Sequence, residues 1–143
     1  MIRAHGKASI PLVLAFFCTA RVEAYPIFDL DRDHDEDDWR GSIWVENAIL
    51  SLLGLPAGEE LSGTVIDEHF ACWTDDFGSL VREEIGDVYV THEREVSDEL
   101  GYRGGSGRKV GRVVQDCLQK CYADGHRSAA VDNLITVLRS RLG

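Results

Sequence analysis

Patterns that usually mark chemistry are missing from this sequence. Among its 143 residues there is no H-E-x-x-H, no Cys/His set at zinc spacing and no G-x-x-x-x-G-K-[ST]. A metal hydrolase and a P-loop nucleotide site therefore have no anchor. Gly104-Gly105-Ser106-Gly107-Arg108-Lys109 is glycine-rich and basic but follows no strand, so it reads as a hinge. No serine nucleophile elbow and no N-x-[ST] sequon occur. Long apolar runs are also lacking: the one candidate, Ile10–Ala20, is too short to span a bilayer comfortably. Positive charge is scarce, with 15 Lys+Arg against 25 Asp+Glu and a net charge of −10. That balance repels phosphate backbones and disfavours a nucleic-acid partner. No catalytic residue, cofactor or metal is expected.

What is present can fold. Hydrophobic residues make up 44% and charged residues 28%, an ordinary globular composition, at a length suited to one domain plus a processing segment. Met1–Ala24 has the order of a secretory leader: basic Arg3 and Lys7, the apolar run, then Val22-Glu23-Ala24 as a small-x-small cleavage site. A buried N-terminal helix of a cytoplasmic protein is the alternative. The tripartite order favours the leader, hence a secreted mature chain beginning near Tyr25 with a charge of −12 and no membrane contact.

Charge is unevenly spread along that mature chain. Residues 25–102 carry −17 and residues 103–143 carry +5. Such a split either sets up complementary faces for association or is neutralised inside one fold. Tyr25–Asp38 crowds seven carboxylates together, and residues 25–41 read as an extended, solvated linker.

From residue 42 the apolar period is helical, predicting an all-α bundle of five or six short helices over 42–143. Ser42 is expected to cap a helix through Leu53, stopped by Gly54 with Pro56 beyond. Thr64–Trp73 is the second candidate, and Asp75 or Asp76 caps a third that ends before Gly86. A charged fourth opens at Thr91, while Asp87–Val90 is the only strand-like scrap. The last two are the clearest. Val110, Val113, Val114, Cys117, Leu118 and Cys121 form one stripe; after Gly125, Ser128 caps a helix carrying Val131, Leu134, Ile135, Leu138 and Leu142.

Cys18 leaves with the leader, so Cys72, Cys117 and Cys121 remain. A disulfide from Cys72 to one of the other two is expected in an exported chain, because an i,i+4 bridge is strained. Three buried thiols packing as small hydrophobes is the other reading. Asp29-Leu30-Asp31-Arg32-Asp33 begins like an EF-hand loop, but His34 stands where the glycine belongs and Arg40 where the bidentate glutamate belongs. A solvated acidic face is favoured over loose cation binding.

Residues 61–143 resemble the death-domain family of helical adaptor modules. The match is carried by Asp124-Gly125-His126-Arg127-Ser128-Ala129-Ala130-Val131 with Leu134, Leu138 and Arg139, similar to that family's loop and fifth helix. Asp76–Gly86 is similar to its second helix, with Phe77 where a Trp is usual, and Val113–Tyr122 corresponds to its fourth. The resemblance implies a non-enzymatic protein-protein interaction module, associating with itself or a protein partner. Glu83, Glu84 and Asp87 are the expected acidic face, and Arg108, Lys109 and Arg112 the basic one. The alternative is a small secreted acidic helical protein, a ligand or matrix component, stapled by the disulfide.

Overall fold

The computed structural model describes residues 6–32, 36–58, 60–102 and 110–143. A 3-10 turn, Lys7–Ser9, leads into α1 (Ile10–Thr19). Then follow β1 (Ile27–Asp29), α2 (Glu36–Leu52), β2 (Val65–Ile66), β3 (Ala71–Trp73), α3 (Phe77–Ile85), α4 (Asp87–Glu99), α5 (Gly111–Ala123) and α6 (Ala129–Leu142). The chain is mostly helical, but the expected all-α class needs a correction: a small sheet of order β1-β3-β2 accompanies the helices. The chain divides into two compact units, Met1–Phe77 with Val137–Gly143, and Gly78–Thr136.

In the first unit, β1 runs parallel to β3 and β2 antiparallel to it. The expected helix over Thr64–Trp73 is replaced by the β2–β3 hairpin. Asp67 explains why: its Oδ1 accepts the backbone N–H of His69 at 2.7 Å and of Phe70 at 3.0 Å. That side chain closes a tight turn between β-branched Val65-Ile66 and the buried Ala71–Trp73 strand. β1 falls inside the segment expected to be solvated, and Phe28 and Leu30 are buried there. They join Leu14, Val45, Ile49, Leu50, Phe70 and Cys72 in one core, with Phe28 and Phe70 stacked at 5.8 Å between ring centroids. Each such side chain contributes about 1.5–3 kcal/mol by leaving water.

α2 begins at Glu36, six residues before the expected cap. Ser42 is buried mid-helix and its hydroxyl donates to the Leu30 carbonyl at 3.5 Å. The other end follows the expectation closely. Gly54 takes φ 73°, and the Leu55 N–H returns to the Leu50 carbonyl at 2.9 Å, a glycine-terminated C-cap.

In the second unit, α3 ends at Ile85 and Gly86, at φ 76°, turns the chain directly into α4. The strand-like Asp87–Val90 is helical. Tyr89 is buried and its carbonyl accepts the Cys117 thiol at 3.5 Å, so packing of α4 on α5 overrides the β-branched propensity of Val88 and Val90. α5 buries Val113, Cys117 and Cys121 as the stripe requires. Ser128 caps α6, accepting the Val131 N–H at 3.2 Å. Of the stripe expected on α6, Val131 is buried whereas Ile135 and Leu142 are exposed.

Candidate functional site

The acidic residues expected to form an interaction face cluster around the α3–α4 turn. Glu83 and Glu84 close α3 and Asp87 opens α4, with Gly86 making the turn that brings them together. Their roles divide. The Glu84 carboxylate accepts the Ser128 hydroxyl and, at 3.1 Å, the Ala130 N–H. It therefore completes the cap of α6 from outside that helix, and its charge faces helix donors. Glu83 and Asp87 are exposed, and no ion pair or side-chain hydrogen bond is assigned to them among the described residues. They are the two carboxylates of the trio that remain available to a partner.

Behind this rim lies an ion pair. Arg82 donates to both oxygens of Glu93 at 2.9 and 3.1 Å, and its guanidinium lies 5.8 Å from the centroid of the Tyr89 ring. The pair joins α3 to α4 across the turn. Burial pushes the Tyr89 hydroxyl up to about 12.

The basic half of the expected face is less complete. Arg108 and Lys109 lie outside the described residues. Arg112 is exposed on the first turn of α5, and its Nε donates to Asp116 at 2.7 Å, an i,i+4 pair within one helix. Such pairs contribute about 0.3–0.5 kcal/mol, so Asp116 does not tie Arg112 down strongly.

The cysteines answer a different expectation. Cys72, Cys117 and Cys121 are all buried free thiols and no pair lies at bonding distance, which corrects the disulfide. Burial pushes the Cys72 thiol up to about 11 and the Cys117 thiol up to about 12. They pack as small hydrophobes, the reading that needs no oxidation.

Three ionic features went unnoticed in the sequence. His92 on α4 bridges Glu95 and Asp124, and its i,i+3 spacing to Glu95 was the available local signal. In the first unit, the Glu46 side chain is 2% exposed and is held by Arg32 at 2.8 Å and by Lys7 at 3.2 Å. Lys7 also reaches Asp31 at 3.1 Å. These partners are separated by up to 39 residues, so no local pattern links them. Asp29 is also occupied, accepting the Trp73 indole N–H, so two carboxylates of the EF-hand-like run serve the fold. Asp33 and Asp35 lie outside the described residues.

α1 and β1 flank an open cleft of about 1010 Å³, lined in part by Val13, Phe17, Tyr25 and Phe28, with Lys7 and Asp31 among its polar residues. Compared with protein-family models, curated proteins and solved structures, the chain matches none.

Proposed function

We propose that this chain is a non-enzymatic protein-protein interaction module, death-fold-like, that associates with itself or a protein partner through complementary charged faces. The observation that carries the reading is the pair of exposed carboxylates, Glu83 and Asp87, on a turn held by the Arg82–Glu93 ion pair. An acidic rim of this kind attracts a basic partner surface and selects its orientation. Arg112, with Arg108 and Lys109, is the basic counterpart for self-association. The stretches similar to the family's second and fifth helices are helical here, as α3 and α6.

Sedimentation of the full chain tests the reading at about 50 mM and about 500 mM salt, since screening shortens the reach of exposed charges. The expected result is association at low salt that weakens at high salt. A strict monomer at both, with no salt-dependent protein partner recovered by pull-down, overturns it.

A second reading, a small secreted acidic helical protein, is supported by the leader-like order of residues 1–24. It no longer includes a disulfide staple. The mass of the N-terminus after expression in a secretory host decides it: a chain starting near Tyr25 supports export, and one starting at Met1 or Ile2 ends it.

A further inference from the structure

The helix formed by the leader-like segment is two-sided. On its inner side Leu14 is buried in the core of the first unit and Ile10 packs against the same cluster. On its outer side Leu12 is 77% and Phe16 69% exposed. One turn before Ile10, Lys7 docks its ammonium between Glu46 and Asp31. Lys7, Ile10 and Leu14 thus meet the unit at i, i+3 and i+7, the spacing with which an amphipathic helix enters a groove.

We infer that the face of the first unit beneath α1 is a helix-docking groove. Residues 7–19 are its resident occupant, and their removal opens it to a partner helix with the same pattern of a lysine followed by apolar residues three and seven positions on. Opening by processing after Ala24 rests on the export reading; the groove itself does not. Two observations support exchange. Glu46 keeps its bond to Arg32 when Lys7 departs, so opening leaves no buried charge uncompensated. Finally, the link after α1 has no regular structure from Val22 to Pro26, and Arg21 sits at φ 54°, a conformation disfavoured for a residue with a Cβ. The charge also chooses the partner, because Glu46 and Asp31 at the groove's end accept a cation and repel an acid.

The test uses the full chain with a site-specific protease sequence replacing residues 21–24, cut after folding. The probe is a labelled synthetic peptide of residues 6–20 carrying a soluble tail. The severed N-terminal fragment is expected to co-elute with the remainder and to be displaced by the peptide. A Lys7→Glu or Leu14→Gln peptide should displace it at least about tenfold more weakly, a loss of about 1.4 kcal/mol. A peptide with Leu12→Gln and Phe16→Gln should compete as the native one does. The groove is overturned if the fragment leaves and no peptide binds while circular dichroism shows a folded remainder. It is equally overturned if cutting unfolds the remainder, which makes α1 an inseparable part of the core, or if the Lys7→Glu peptide competes unimpaired. N-terminal mass from a secretory host, measured separately, decides the export reading without bearing on the groove.

Discussion

His92 on α4 is tied to Asp124, the cap of α5, with Nε2 2.8 Å from Oδ2. Its other nitrogen, Nδ1, lies 3.1 Å from Glu95 Oε2. One imidazole therefore joins the side of one helix to the end of the next, and both partners are anions. The hydrogen bond that the ring donates to Glu95 and the nearness of Asp124 raise the His92 pKa above its ordinary value.

A raised histidine gives a defined pH signature. The protonated ring is the form both carboxylates favour, so its contribution is complete below the unfolded value of about 6.5 and is lost as pH climbs through the folded value. Because both carboxylates are largely exposed, the effect should not exceed about 1 kcal/mol. Melting temperature is expected to fall as pH is raised from 6 to 8.5, by more in the native chain than in His92→Gln. Equal slopes in the two proteins would show that the bridge contributes nothing.

The thiols should separate cleanly by accessibility. Cys18 is exposed, whereas Cys72, Cys117 and Cys121 are buried. At neutral pH the buried thiols are also protonated, because burial raises each of them, and a thiol is a poor nucleophile. Brief alkylation of the native full chain is expected to label Cys18 alone, and denaturant should release the other three. Rapid native labelling at Cys117 or Cys121 would contradict the packing described for α5.

Glu84 and Ser128 make a second pairwise test. Ser128→Ala removes the cap of α6 and is expected to cost about 0.5–2 kcal/mol. Glu84→Gln should cost less alone, and less still in the Ser128→Ala background, because the two groups share one bond. Denaturant titration of the four proteins measures the coupling. Strict additivity would mean that the carboxylate does not support the cap.

The legible parts of the fold were those in which one period explains every apolar residue. On α5, Val113, Cys117 and Cys121 are spaced by four and nothing else competes. Thr64–Trp73 misled because Val65-Ile66 and Phe70-Ala71-Cys72-Trp73 are dense enough to suit either period; Asp67, a turn former, was the deciding residue. Tyr89 is a tertiary effect, since only contact with α5 makes Asp87–Val90 helical. The acidic trio was legible as charge, but its division into a structural Glu84 and an available Glu83 and Asp87 was not. That division depends on Ser128, 44 residues away.

α1 permits a direct comparison of its two faces in the full chain. Leu14→Ala deletes a buried side chain from the first unit's core and is expected to cost about 2–5 kcal/mol. Phe16→Ala on the outer face should stay within about 0.5 kcal/mol. Equal, small effects on thermal unfolding would place α1 outside the cooperative core.

The association reading stands or falls on Glu83 and Asp87. Glu83→Lys with Asp87→Lys reverses the free part of the rim and leaves Glu84 on its cap, so helical circular dichroism should be unchanged. Salt-sensitive association should be lost in that variant. Reversing Arg108, Lys109 and Arg112 to Glu tests the other side; losing the Arg112–Asp116 pair and placing a second carboxylate beside Asp116 together destabilise by no more than about 1 kcal/mol. If the two faces bind each other between copies, each reversed variant remains monomeric alone, but mixing them restores the complex, because both signs have been exchanged. If the charges pair within each monomer instead, reversal lowers the melting temperature and mixing changes nothing. Sedimentation of the mixture at about 50 mM salt, where screening is weak, separates these outcomes.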